Sequence, residues 1–98
     1  MISTHILDTE LGRPAAGVAV SLYSGDELVS SGQTDRDGRI PDLSQGQSLG
    51  PGAYRLVFDV RRPFFRRVEV EIDLDDAGAH YHVPLLLSPY SCVIYRGS

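Results

Sequence analysis

From Arg67 to Leu74 the chain alternates without exception, with Val68, Val70, Ile72 and Leu74 on one parity and Arg67, Glu69, Glu71 and Asp73 on the other. A period of two belongs to a strand with one face buried and one face wet. Tyr54, Leu56, Phe58 and Val60 repeat it one segment earlier, and Val18, Val20 and Leu22 repeat it near the start. No stretch has a convincing helical period. Turn chemistry punctuates the alternating segments at Gly12-Arg13-Pro14, Ser24-Gly25-Asp26, Asp35-Arg36-Asp37-Gly38, Asp75-Asp76-Ala77-Gly78 and Ser88-Pro89, close to the spacing of a β-sandwich. The reading is therefore all-β, with seven or eight short antiparallel strands. They run Ile2 to Asp8, Ala16 to Tyr23, Glu27 to Thr34, a short Arg39 to Ile40, Tyr54 to Val60, Arg67 to Leu74, His80 to Leu87 and Ser91 to Arg96.

With 98 residues the chain has room for a single domain, 1–98, and excludes a doubly wound enzyme or a TIM barrel. Edge strands in so small a sandwich leave backbone groups unpaired. The first and last strands are expected to need protection, for which edge-to-edge oligomerisation is a natural remedy. The irregular Ser44 to Gly52 stretch is no phosphate cradle, because no helix follows it.

Charge and residue usage close several functional classes. A formal net charge of -4 argues against nucleic acid. All nine basic residues are Arg, so neither a Schiff-base lysine nor a P-loop lysine is present. Cys92 stands alone and can form neither an intramolecular disulfide nor a zinc ribbon. A reducing cytoplasm fits this, as does a start without a secretory n-region and a chain without an apolar run of membrane-spanning length.

The candidate chemistry lies in three histidines and one arginine. His80 and His82 are two residues apart in a strand and share a face, while Tyr81, Val83, Leu85 and Leu87 turn to the core. Pro84 lacks an N–H and favours an edge or a bulge. His5 lies on the face of the first strand opposite Ile2, Thr4 and Ile6. Two solvated histidines on an outer face are the commonest meaning of a lone His-x-His. Three histidines are also the ligand count of a catalytic zinc, and neutral imidazoles serve equally as general base and proton shuttle without a metal. Arg39 begins a strand after a tight turn, where its guanidinium is aimed at an anion or an oxyanion unless a turn aspartate claims it. The Arg61-Arg62-Pro63-Phe64-Phe65-Arg66-Arg67 block is expected to be a solvated connection whose phenylalanines tuck into the core. Cys92 is expected to pack rather than react.

Four segments carry a family resemblance: Ser3-Thr4-His5-Ile6-Leu7-Asp8, Thr34-Asp35-Arg36-Asp37-Gly38-Arg39-Ile40, His80-Tyr81-His82-Val83-Pro84-Leu85-Leu86-Leu87-Ser88-Pro89-Tyr90 and the closing Tyr95-Arg96-Gly97-Ser98. With these the chain resembles, nearly end to end, the 5-hydroxyisourate hydrolase family of transthyretin-like proteins. The resemblance implies a transthyretin-like (prealbumin) sandwich and a homotetramer, a dimer of dimers, whose central channel is lined by the face carrying His5, Leu7, His82, Pro84 and Leu86. It implies hydrolysis of 5-hydroxyisourate to 2-oxo-4-hydroxy-4-carboxy-5-ureidoimidazoline without a cofactor or metal. His5 and His82 would supply the base and the proton return, Arg39 would stabilise the oxyanion, and Tyr95, Ser98 and His80 would bind substrate. Alternatives in the same fold are a non-catalytic ligand-binding tetramer and a hydrolase of a different cyclic amide. Two departures stand out. Arg61 to Arg66 is too short for the family's usual inter-strand helix, and Ser91-Cys92-Val93-Ile94 replaces a usual Gly-Tyr-Ser-Thr, with Val93 facing the channel.

Overall fold

The computed structural model describes residues 1–76 and 78–98. Nine strands are present among them: β1 (Ile2–Asp8), β2 (Arg13–Pro14), β3 (Ala19–Ser24), β4 (Glu27–Gln33), β5 (Arg39–Ile40), β6 (Gly52–Asp59), β7 (Val68–Leu74), β8 (Tyr81–Leu87) and β9 (Cys92–Ile94). They form two sheets. One has the order β2-β1-β8-β9, with β5 also on β1, and the other has the order β4-β3-β6-β7. The alternating segments bury the parity expected of them: Val20 and Leu22 from β3, Leu56 and Phe58 from β6, and Ile2, Ile6, Leu85 and Leu87 from the facing sheet are fully enclosed. Leu43 and Leu49 from the long irregular connection plug the same core. No helix of the described residues is long and apolar enough to cross a membrane.

Several expectations are corrected by the topology. The strands are not all antiparallel, because β1 and β8 pair in parallel from Ile2↔Tyr81 to Asp8↔Leu87. Alternation reports which face a residue takes and carries no information on strand direction. The first strand is no edge either, since β1 lies between β8 and the two-residue β2 and β5. The additional strand, β2, pairs Leu7↔Pro14 and Asp8↔Arg13 and is too short to show a period.

Pro84 likewise sits in an interior strand. The β8–β9 ladder pairs Leu85↔Ile94, Leu86↔Val93 and Leu87↔Cys92, breaks opposite Pro84, and resumes in the same register at His82↔Gly97. The missing N–H of proline thus appears as a gap in the ladder, and β9 ends at Ile94 rather than Arg96. His80 precedes β8. The Arg61–Arg66 connection has no helix and closes as a tight loop, with Arg61 N–H donating to the Arg66 carbonyl at 2.9 Å and Arg62 N–H to that of Phe65 at 2.8 Å. Phe65 packs against the core as expected, whereas Phe64 stands 70% exposed at the tip, its ring edge-on to Phe65. A loop this short cannot turn both rings inward.

The turn before β5 is held from within. Asp35 Oδ1 accepts from the Asp37 N–H at 2.9 Å and the Arg39 N–H at 3.0 Å, an Asx-type arrangement that sets where β5 begins. Gly38 takes φ +74°, and a Cβ there would lie 2.5 Å from the Ile6 carbonyl oxygen, the same strand to which the Gly38 carbonyl is tied by the Ile6 N–H at 2.8 Å. Both the backbone conformation and the close approach demand glycine. Gly38→Ala is expected to cost more than about 1 kcal/mol, read as a lower urea midpoint at unchanged slope. A midpoint equal to that of the parent would mean that this turn is not pressed against β1.

Candidate functional site

Three registers bring the site together on the outer face of the β1-containing sheet. Ser3 pairs with His82 and His5 with Pro84 across the parallel ladder, while His5 pairs with Arg39 across the antiparallel contact with β5. Directly opposed residues of this kind have Cβ atoms about 5 Å apart. The tail then closes over β8: the Gly97 N–H donates to the His82 carbonyl at 2.8 Å, and the Arg96 guanidinium lies 4.8 Å from the centre of the Tyr81 ring, a cation–π contact that anchors the segment. Tyr81 is itself braced, donating its hydroxyl proton to Asp75 Oδ1 at 2.7 Å, a contact that holds the Asp75 carboxyl below its usual range.

The result is a cavity of ≈ 300 Å³ lined by Ser3, Thr4, Arg39, Ile40, Pro41, His80, His82 and Ser98. Of the six residues singled out in the sequence, Arg39, His80, His82 and Ser98 line it. His5 shares the face beside Arg39 but does not line the cavity. Tyr95 faces a different hollow of ≈ 250 Å³ with Val70, Ile72, Tyr81, Val83, Ile94 and Arg96 at the open edge between the sheets. A larger hollow of ≈ 530 Å³ lies under the Arg61–Arg66 loop. Two of its cations are already engaged, Arg61 with Asp59 at 2.9 Å and Arg62 with Asp8 at 3.2 Å, and the carboxylate that lines it, Asp59, is the one held by Arg61.

Ser3 is the site residue that sequence reasoning passed over. It is nearly buried at 6% exposure, and its Oγ lies 2.7 Å from His80 Nε2 and 2.8 Å from His82 Nδ1. Its parity with His5 was the available signal, but a serine among alternating residues has no distinguishing pattern. A side-chain oxygen therefore links the two rings. Among the described residues no three His, Cys, Asp or Glu side chains gather in a metal-holding group, which disfavours the zinc arrangement.

The electrostatics favour a neutral His82. Burial lowers its pKa below the ordinary 6.5, and the positive charge of Arg39 and the neighbouring His80 and His5 push in the same direction. Among the described residues no carboxylate pairs with Arg39, since Asp35 is occupied by backbone N–H groups. The cavity thus offers an unprotonated imidazole beside an uncompensated guanidinium, a pairing able to take a proton from water and to hold developing negative charge.

Gly97 explains part of the tail's chemistry. A Cβ there would lie 2.4 Å from His82 Cδ2, so glycine is what lets the tail lie against the imidazole. Gly97→Ala is expected to shift the His82 ring resonances while changing stability by no more than about 1 kcal/mol. Unmoved resonances would show that the tail, not the ring, gives way.

Comparison with known proteins follows the same lines. A family model described as HIUase/Transthyretin family matches residues 2–97. The 5-hydroxyisourate hydrolase 2 of Rhizobium meliloti (strain 1021) is 42% identical over 114 aligned positions, covering 99% of this chain and 95% of its own. Among solved structures, Klebsiella pneumoniae 5-hydroxyisourate hydrolase superposes with a TM-score of 0.91 at 34% identity over 99% of this chain and 97% of that one. Sea bream transthyretin in complex with thyroxine superposes with a TM-score of 0.87 at 32% identity over 98% and 93%.

Proposed function

The chain belongs to the HIUase/Transthyretin family, and from that premise we propose that it hydrolyses 5-hydroxyisourate to 2-oxo-4-hydroxy-4-carboxy-5-ureidoimidazoline in urate degradation. The single observation that carries this reading over simple ligand binding is that His82, its pKa lowered first by burial, lines one cavity with Arg39. Full-length relatives that bear the hydrolase name support it independently.

In this mechanism His82 is the general base. Its Nδ1 is engaged by Ser3, so Nε2 is the nitrogen left to take a proton from the attacking water. Arg39 holds the carbonyl oxygen as charge develops and draws in the anionic substrate, and among the described residues no carboxylate pairs with it to blunt that field. His5, across the strand from Arg39, orients water or returns the proton. Ser98 closes one end of the pocket and His80 borders it. Tyr95 would hold the tail from its far side, where its N–H donates to the Pro84 carbonyl at 3.4 Å. No cofactor or metal enters any step.

The working unit of this reading is a homotetramer, a dimer of dimers, with the His82 face lining a central channel. Its support is the apolar outer surface continuing from the site, where Val93, 53% exposed, pairs with Leu86. Cys92 remains free, which suits a reducing compartment, and the cytoplasm is the proposed location.

An ultraviolet time course tests the reaction, with urate oxidase generating 5-hydroxyisourate in place and decay followed with and without the chelator-treated protein. Acceleration that survives the chelator is expected, and His82→Ala should remove about 10²–10⁴-fold of it with the oligomer intact by light scattering. No acceleration by the folded parent protein would move the assignment to ligand binding, and preference for a hydantoin-type ring would move it to another cyclic amide. The rate should also rise with pH as His82 loses its proton. Because burial and nearby positive charge depress that pKa, half-maximal activity is expected below pH 6.5; a midpoint above 6.5 would contradict His82 as the base.

A further inference from the structure

The Ser3 hydroxyl touches both imidazoles at hydrogen-bonding distance but owns only one proton. It can donate to one ring nitrogen and must accept from the other. His80 Nε2 and His82 Nδ1 therefore present opposite characters, one bare and one protonated, and their tautomers are tied together. We propose that Ser3 is a positioning and relay residue that joins His80 to His82, so that the two imidazoles act as one base with its charge carried at His80. This rests on the reading of His82 as the base that activates water.

The proton balance closes within these three side chains. At the start His82 carries its proton on Nδ1 and donates it to Ser3 Oγ, while Ser3 donates to His80 Nε2. An O–H bond of water breaks and an N–H bond forms at His82 Nε2. The Nδ1 proton passes to Ser3 Oγ, and the hydroxyl's own proton passes to His80 Nε2. Ser3 ends unchanged, His82 ends neutral with its proton on Nε2, and the positive charge resides on His80. When the Nε2 proton is given to the ring nitrogen released from the substrate, the same two transfers run backwards and restore the start.

The surroundings give the transfer a direction. His82 is the less exposed ring and is faced by Arg39 from β5, by His5 from β1 and by His80 from the residue just before β8, all of which resist a second positive charge there. From the tail it meets Gly97, which has no charge. His80 is exposed, so water can solvate an imidazolium at that position. The ring centroids lie 6.5 Å apart, and the buried hydroxyl between them is the connection the geometry provides. Ser3 also restrains His82 from rotating, since the hydrogen bond at Nδ1 fixes which nitrogen is left for the cavity.

Two measurements test the proposal. In the parent protein, ¹⁵N spectra of the histidine rings are expected to place a proton on only one of His80 Nε2 and His82 Nδ1; protons on both, or on neither, would overturn the relay. In turnover, Ser3→Ala should lower kcat by about 10–100-fold with little change in KM. Ser3→Thr, which keeps the hydroxyl, should restore most of that rate. His80→Ala should reproduce the Ser3→Ala loss, and the double variant should be no slower than either single one. A Ser3→Ala enzyme with parental kcat, in a protein where His82→Ala abolishes turnover, would remove the relay and leave His82 as base. Parental turnover by His82→Ala would instead remove both.

Discussion

The parallel pairing of β1 with β8 is the constraint on which the remaining arrangement depends. It joins residues nearly eighty positions apart, and all four strands of the second sheet lie between its two strands in the chain. Its register sets Ser3 opposite His82 and His5 opposite Pro84. A slip of one residue would turn either Ile2 and Ile6 or Leu85 and Leu87 out of the core, so burial of these side chains enforces the same alignment that assembles the polar face. Core and site are thus two sides of one ladder.

Around that ladder, short elements with strong local chemistry do the positioning. Asp35 and Gly38 place Arg39 by backbone hydrogen bonds and a left-handed turn, leaving its guanidinium without a carboxylate partner among the described residues. The tail is held by a cation–π contact on Tyr81 and a backbone bond to His82, with glycine where any side chain would strike the ring. An acidic protein therefore concentrates positive potential and titratable nitrogen in one small hollow, which suits an anionic ligand. The apolar surface around Val93 and Leu86 lies on the same face, so the site adjoins the part of the molecule with most to gain from being covered.

Much of this was legible beforehand, for reasons that can be named. Val68 to Leu74 and Tyr54 to Val60 declared their faces because alternation needs no partner to be read. His80 and His82 shared a side for the same reason, and Asp35 to Gly38 spelled a turn in its own residues. Phe64 was misread because apolar character suggests burial, while a tight loop has space for only one of two adjacent rings. Pro84 was misplaced because proline costs one ladder bond, and an interior strand tolerates that loss where its neighbour has a gap. Ser3 escaped notice altogether, since a hydroxyl acquires meaning only from what stands beside it.

The sequence by itself determined the all-β class, the core parity of the long alternating strands, the turn before Arg39 and the residues that carry the family likeness. These are local properties, written in periods of two and in the backbone preferences of glycine, aspartate and proline. Only the tertiary structure decided that β1 and β8 run parallel, that Ser3 stands between two imidazoles, that Tyr95 lies against a separate hollow and that Gly97 rests against His82. Each of these depends on a pairing between distant segments, and no local period or turn signal records which distant segments will meet.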